Sequence, residues 1–278
     1  MRKLVIQTDF GVGSASVAAM HGVCAMVDPN LIAENGNNAV AQFNVLDGSD
    51  SLMYQLPYWP EGTVFVSVVD PGVGTKRKSC VAKLTNGKFV VTPDNGTLTY
   101  LKEEGLIEAV REIDESVNRL KGSEDVFIFH GRDVYAYCGA RLAAGVIDFE
   151  GVGPEYPVDE VVMVDYPHPT KKPGEVSGMI TEATEHFGLV GTNIPFPWLA
   201  ESGLNYGDDV EVIVTNDSKV VLDKVVKLAP TFGYVALGEP LVISSETRMA
   251  MLAINQGNAT LEFKLGFGVK WIMTIKKV

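Results

Sequence analysis

VVDPGVGTKR, residues 68–77, is the stretch on which the reading of the fold turns. Its two valines close a buried strand. Pro71, Gly72 and Gly74 then force a turn in which backbone comes close to a ligand. Asp70 therefore stands at the C-terminal end of a strand, and Arg77 returns from a short loop beside it. Ligands of open α/β sheets bind at that rim. Upstream, KLVIQTDF reads as a first strand and SVAAMHGVCAMV as a helix stopped by DPN. AENGNNAVAQFNVLDGS, residues 33–49, reads as an irregular loop and DSLMYQLPYW as a helix. Downstream, SCVAKLT and KFVVTPD read as strands around an NGK turn and GTLTYLKEEG as a helix. DVFIF reads as a strand, and RDVYAYCGARLAAG as a helix ending at Gly145. Strand and helix alternate, which predicts an N-terminal α/β domain with a mainly parallel sheet.

The pattern changes at DYPHPTKKPG, residues 165–174, a Pro- and Lys-rich stretch that reads as a linker. Beyond it EVSGMITEAT, DVEVIVT, KVVLDKVVKLA, MAMLAI, TLEFKL and VKWIMTIKK all read as strands. Short strands separated by turns predict a barrel or sandwich. The expected division is an α/β domain over 1–168 carrying the chemistry and an all-β, barrel-like, substrate-binding domain over 169–278.

With 23 basic and 35 acidic side chains the net charge is −12, which opposes binding to a nucleic-acid backbone. No apolar run reaches the length of a membrane span, and the N-terminus reads as a core strand rather than a signal peptide. The three cysteines are widely spaced and form no CxxC, which argues against structural zinc and disulfides and fits a reducing cytoplasm. No HxH or HExxH is present, so no metal site is expected.

Three constellations carry candidate chemistry. TDFGVG sets Asp9 after the first strand, where a carboxylate accepts hydrogen bonds from sugar hydroxyls or caps a turn. Asp70 with Arg77 is either a reactive pair or a structural ion pair beneath the turn. FIFHGRD places His130 at a strand end, as an acid–base group or a hydrogen-bonded core histidine. In EHFGLVGTNIP, Phe187 and the glycines wall a flat ring or form a β-bulge.

In this order and spacing, TDFG, VVDPGVGTKR, PDNG, FHGRDVYA and HFGLVGTNI resemble the S-adenosyl-L-methionine hydroxide adenosyltransferases, relatives of fluorinase and chlorinase. The resemblance covers almost the whole chain. It implies an α/β domain joined to a β-barrel and a homotrimer, with sites between one subunit's N-domain and its neighbour's C-domain. It implies that Asp70, Arg77 and His130 handle the attacking water. It assigns Asp9 to the ribose hydroxyls, Phe43 to the sugar, Glu185 to the methionine ammonium and Phe187 to the adenine. Phe10, Gly72, Val73, Gly131, Asn193, Glu246 and Arg248 complete the implied substrate contacts. Halogenating members replace the aspartate by tyrosine and carry serine where Gly131 stands, so the hydrolytic branch fits better. Leu189 stands where the family has an adenine-binding asparagine.

What the resemblance implies is hydrolysis of S-adenosyl-L-methionine to adenosine and L-methionine, without metal or other cofactor. A non-catalytic or diverged adenosyl-ligand binder, or a halogenase, remains open at this point.

Overall fold

The computed structural model describes residues 3–278, which form two compact units, 3–164 and 165–278.

In the first unit the chain runs β1 (Leu4–Thr8), α1 (Ala15–Val27), β2 (Ala33–Asn35), α2 (Val45–Gln55), β3 (Val64–Val68), β4 (Ser79–Leu84) and β5 (Phe89–Pro93). It continues through α3 (Thr99–Glu103), β6 (Ile107–Glu112), α4 (Glu115–Asn118), α5 (Tyr137–Ala144) and β7 (Glu155–Tyr156). The strand order is β2-β1-β3-β5-β4-β6-β7. β2, β1, β3 and β5 pair in parallel, and the antiparallel step at β4 returns β6 to their direction, so five of the seven described strands run one way. β1, β3 and β5 are buried along their whole length, which is why they read as continuous apolar runs. Leu4 and Ile6 face the layer holding Met20 and Cys24 of α1 and Leu142 of α5. Val5 faces the opposite layer, with Leu52 of α2 and Leu101 of α3. The chain leaves β1 for β2 on one side and reaches β3 on the other. The gap between the C-terminal ends of β1 and β3 is thus the switch point of the sheet, where such folds open a crevice.

The second unit holds β8 (Thr170–Lys172), β9 (Glu175–Ala183), β10 (Val190–Pro195), α6 (Pro197–Glu201), β11 (Asp209–Asn216), β12 (Lys219–Leu228), β13 (Pro240–Ser244), β14 (Met249–Ile254), α7 (Ala259–Glu262) and β15 (Trp271–Lys277). β10 pairs with β14 on one side and β9 on the other, which closes seven strands into a barrel with β8 added at β9. Val176, Ile180, Val212, Val242, Leu252 and Ile275 fill it. Closure is the barrel's answer to exposed strand edges. The pairing slips at Gly191, the irregularity expected of the GLVGTN stretch.

Four local expectations are corrected. DVFIF is not a strand: Phe127 and Ile128 are exposed, and the Arg119 guanidinium binds the Val126 carbonyl. The strand lies earlier, at β6, where Glu108, Arg111 and Glu112 interrupt the apolar residues and mask the signal. TLEFKL is not a strand either, because Asn258 accepts the Leu261 N–H and starts α7. The stretch 33–49 contains β2 and the first turns of α2, whose cap is Asn44. The expected linker contributes β8. No helix among the described residues is long and apolar enough to cross a membrane. Cys24, Cys80 and Cys138 are buried free thiols, and burial pushes those of Cys24 and Cys138 up to about 12.

Gly139 shows how tightly α5 lies on β3. A Cβ there would stand 2.6 Å from Val66 Cγ2. Alanine in mid-helix ordinarily stabilises relative to glycine, but valine is stiff and the overpacking wins. Gly139→Ala is expected to lower the unfolding free energy by about 1–3 kcal/mol, read by urea denaturation.

Candidate functional site

Asp70 follows β3 by two residues and Asp9 follows β1 by one, so the switch point brings two carboxylates to one rim. The approach to Asp70 is held by Asn95 of the PDNG turn, whose Nδ2 donates to the Val69 carbonyl at 2.8 Å. The turn after it closes as Val73 N–H donates to the Asp70 carbonyl at 3.2 Å and Thr75 N–H to that of Gly72 at 3.1 Å. That short return delivers Arg77 onto Asp70 as a fork. Nε donates to Oδ1 at 2.8 Å and Nη2 to Oδ2 at 2.5 Å, with only 9% of the arginine side chain and 5% of the aspartate exposed.

His130 sits at the start of one turn of π-helix, Gly131–Ala136, that leads into α5. Such turns recur where a helix re-aims functional side chains. Its Nδ1 lies 3.0 Å from Arg77 Nη2. A guanidinium only donates, so Nδ1 accepts, and the neutral imidazole carries its hydrogen on Nε2. Nε2 is buried with no hydrogen-bond partner. The three side chains named from the sequence therefore meet through Arg77: carboxylate on one side, imidazole on the other.

Burial, reinforced by Arg77 and Arg119, holds the imidazole below its usual range, against the opposing charges of Glu115 and Asp70. Burial alone would lower the Arg77 guanidinium, but the hydrogen bond and charge of Asp70 outweigh it and its pKa rises. Burial and the Asp70 charge push Tyr135 well above the ordinary phenol value, so its hydroxyl stays protonated.

An open cleft of ≈ 320 Å³ is lined by Asp9, Phe10, Ser14, Ser16, Gln42, Phe43 and Asp70. Asp9 Oδ2 accepts the Phe43 N–H at 2.9 Å. Phe43 adopts φ 64°, a backbone state costly for a bulky residue. The carboxylate holds the strained loop in place, and the Phe43 ring is exposed. Phe10 packs edge-on against Phe129 at 6.0 Å. Gly131 lies under it: a Cβ there would come within 3.3 Å of Phe10 Cζ. The reactive array and the cleft share Asp70.

In the second unit, Glu185 and Phe187 lie in the turn from β9 to β10, and both are exposed. Asn258 Nδ2 donates to the Glu185 carbonyl at this end of the barrel. Glu246 and Arg248 lie in the turn from β13 to β14, beside Phe196 at the other end of the β10–β14 pair. Asn193 is committed to the fold: Oδ1 accepts the Met179 N–H at 2.8 Å and Nδ2 donates to the Pro167 carbonyl at 2.9 Å. Leu189 packs against the cluster of Leu241, Ile243 and Met251.

Sequence reading missed Ser79, Tyr135 and Asn95. Ser79 Oγ takes an Arg77 Nη1 hydrogen at 3.2 Å, and Tyr135 OH reaches Asp70 Oδ2 at 3.3 Å. Ser79 is two residues beyond Arg77 and Tyr135 five beyond His130, but neither spacing sets its hydroxyl apart from ordinary core.

A family model for the SAM hydroxide adenosyltransferase N-terminal domain matches residues 4–153, and one for the C-terminal domain matches 183–272. The chain belongs to the SAM hydroxide adenosyltransferase family. A protein named (R)-S-adenosyl-L-methionine hydrolase from Salinispora tropica is 34% identical to it, over 91% of this chain and 90% of that one. One of the same name from Thermus thermophilus is 30% identical over 97% and 99%. A fluorinase from Actinoplanes sp. is 26% identical over 98% and 97%. Among solved structures, an uncharacterized conserved protein from Thermotoga maritima matches with a TM-score of 0.87 and 31% identity, over 99% of this chain and all of that one.

For this member of the SAM hydroxide adenosyltransferase family the lowered His130 pKa has a measurable sign. Below the ordinary value near 6.5 the unfolded chain takes up a proton that the folded imidazole refuses, so stability falls as pH drops through that value. His130→Asn is expected to lose less unfolding free energy than wild type between pH 7.5 and 5, read by denaturant titration at each pH.

Proposed function

We propose that the protein hydrolyses S-adenosyl-L-methionine to adenosine and L-methionine, with water attacking the ribose 5′-carbon. The observation that carries this reading is the buried Asp70–Arg77–His130 array, whose Asp70 lines the open cleft beside Asp9 and Phe43. Relatives named (R)-S-adenosyl-L-methionine hydrolase support it, and their name points to the R sulfonium epimer as substrate.

The chemistry follows from the groups. The leaving thioether is neutral and needs no general acid. Water is the weak partner, and attack makes its oxygen strongly acidic as the C–O bond forms. A carboxylate already held by an arginine is basic enough to take that proton late, so Asp70 is the acceptor. His130 cannot share that task, because Nδ1 is occupied by Arg77 and Nε2 already bears hydrogen; it orients the water by donating from Nε2. Arg77 stabilises charge that develops on the oxygen. Holding the water in line with the C–S bond supplies a proximity term. Asp9 and Phe43 receive the ribose; Glu185 and Phe187 receive the methionine ammonium and the adenine. The sum is substrate cation plus water giving adenosine, methionine and one proton, with no metal, redox group or other cofactor.

The working form in this reading is a homotrimer with its sites between the first unit of one subunit and the second unit of its neighbour. A cytoplasmic location suits three buried, free thiols.

In ¹⁸O-water, adenosine formed from the R epimer is expected to carry the label on its 5′-hydroxyl, with one proton released per turnover. Asp70→Asn is expected to lower kcat by about 10²–10⁴-fold. Absence of labelled adenosine from folded wild-type protein overturns the reading, and a rate that requires added halide selects the halogenase instead.

A further inference from the structure

Arg77 and Asp70 are joined a second time, behind the fork, through two hydroxyls. Arg77 Nη1 donates to Ser79 Oγ at 3.2 Å; Ser79 Oγ lies 3.2 Å from Tyr135 OH; and Tyr135 OH lies 3.3 Å from Asp70 Oδ2. Ser79 and Tyr135 are both buried, Tyr135 completely. The hydrogens of this ring have one consistent placement. A guanidinium only donates, so Ser79 Oγ accepts from it. A carboxylate only accepts, so the protonated Tyr135 hydroxyl donates to Asp70. The remaining link is therefore Ser79 O–H donating to the Tyr135 oxygen. The ring runs Arg77 to Ser79 to Tyr135 to Asp70 and closes through the direct bond from Arg77 to Asp70.

The ring ties together the segments that carry the array. Ser79 opens β4, directly after the return that delivers Arg77, and Tyr135 lies in the π-turn that follows His130. We propose that Ser79 and Tyr135 are positioning residues for the reaction: their hydroxyls fix the rotation of the Arg77 guanidinium and the Asp70 carboxylate, and through Arg77 hold His130 as a donor from Nε2. This rests on the hydrolytic reading above. Neither hydroxyl touches the substrate in this account; each acts through Asp70 or Arg77. Without them the fork retains its two direct bonds, but the guanidinium loses its rear acceptor and Asp70 Oδ2 loses its second donor. Hydrogen bonds in a buried network support one another, so removing one link loosens the others.

The test uses Tyr135→Phe, Ser79→Ala and the double variant. Phenylalanine preserves the ring that lies 5.7 Å from the Arg77 guanidinium carbon, so the hydroxyl alone is removed. Each single variant is expected to lower kcat by about 10-fold or more, the order of one hydrogen bond to a charged group, with KM within twofold of wild type. The double variant is expected to fall no further than the worse single one, because the two hydroxyls act as one ring. A second readout needs no turnover. Long-range ¹⁵N–¹H correlation of ¹⁵N-histidine protein, with the His130 signal assigned by His130→Asn, is expected to show the Nε2–H form alone in wild type. Both tautomers are expected in Tyr135→Phe and Ser79→Ala.

Single variants with kcat within twofold of wild type overturn the proposal. So do losses that multiply in the double variant, or that fall on KM as heavily as on kcat. A His130 tautomer that is the same in wild type and both variants also overturns it. If wild-type protein forms no adenosine, the hydrolytic reading fails by itself, and the tautomer measurement still decides whether the hydroxyl ring orders His130. If Tyr135→Phe does not fold, Ser79→Ala carries both readouts.

Discussion

A guanidinium and a carboxylate removed from water must satisfy each other, and the site is built around that requirement. Asp70 and Arg77 are almost wholly buried, and each would be costly to leave alone. Their fork fixes two separate pieces of chain at once: the end of β3 and the strand that returns from the turn. The surrounding structure reads as support for this pair. Asn95 holds the peptide before Asp70, Ser79 takes a rear hydrogen of the guanidinium, and the π-turn brings His130 to its remaining edge. An ion pair of this kind is weak evidence of stability and better evidence of specificity. Here it dictates which nitrogen of His130 bears hydrogen.

The same constraint assigns the roles. Three groups that on paper compete for one proton do not compete once their hydrogen bonds are counted. Arginine never accepts, and histidine has spent its accepting nitrogen on arginine. Of the three, Asp70 alone lines the cleft, together with Asp9 and Phe43. The sheet topology explains the location: β1 and β3 are neighbours at the switch point, so residues just beyond both strands must share a crevice.

The reactive set was legible because polar residues interrupt apolar runs there. Asp70 ends a run of buried valines, and the glycines beside it announce a turn. Ser79 and Tyr135 were not, since a hydroxyl on a buried strand or helix looks like ordinary core until its partner is known. The strand assigned to DVFIF failed because five apolar and acidic residues carry no information about whether a sheet edge is free to receive them. The place beside β4 is taken by β6, whose Glu108 and Arg111 hide it. TLEFKL failed for a local reason, the Asn258 cap, which outweighs β-propensity over so short a segment. Asn193, named for the substrate, pins β9 and the segment at Pro167 with the two ends of its amide. Side chains in turns, such as Phe43 and Phe187, were named by motif, but the strain at Phe43 could be seen only in the backbone.

The claim at the centre of this account is that the fork, and not merely the positive charge, makes the array work. Arg77→Lys separates the two, since lysine keeps the charge but has neither the planar fork nor the reach to bridge Asp70 and His130 together. The decisive measurement is kcat for adenosine formation by this variant, alongside its affinity for S-adenosyl-L-methionine by calorimetry. The account predicts binding close to wild type with turnover reduced roughly 100-fold or more. Turnover within a few-fold of wild type would contradict it.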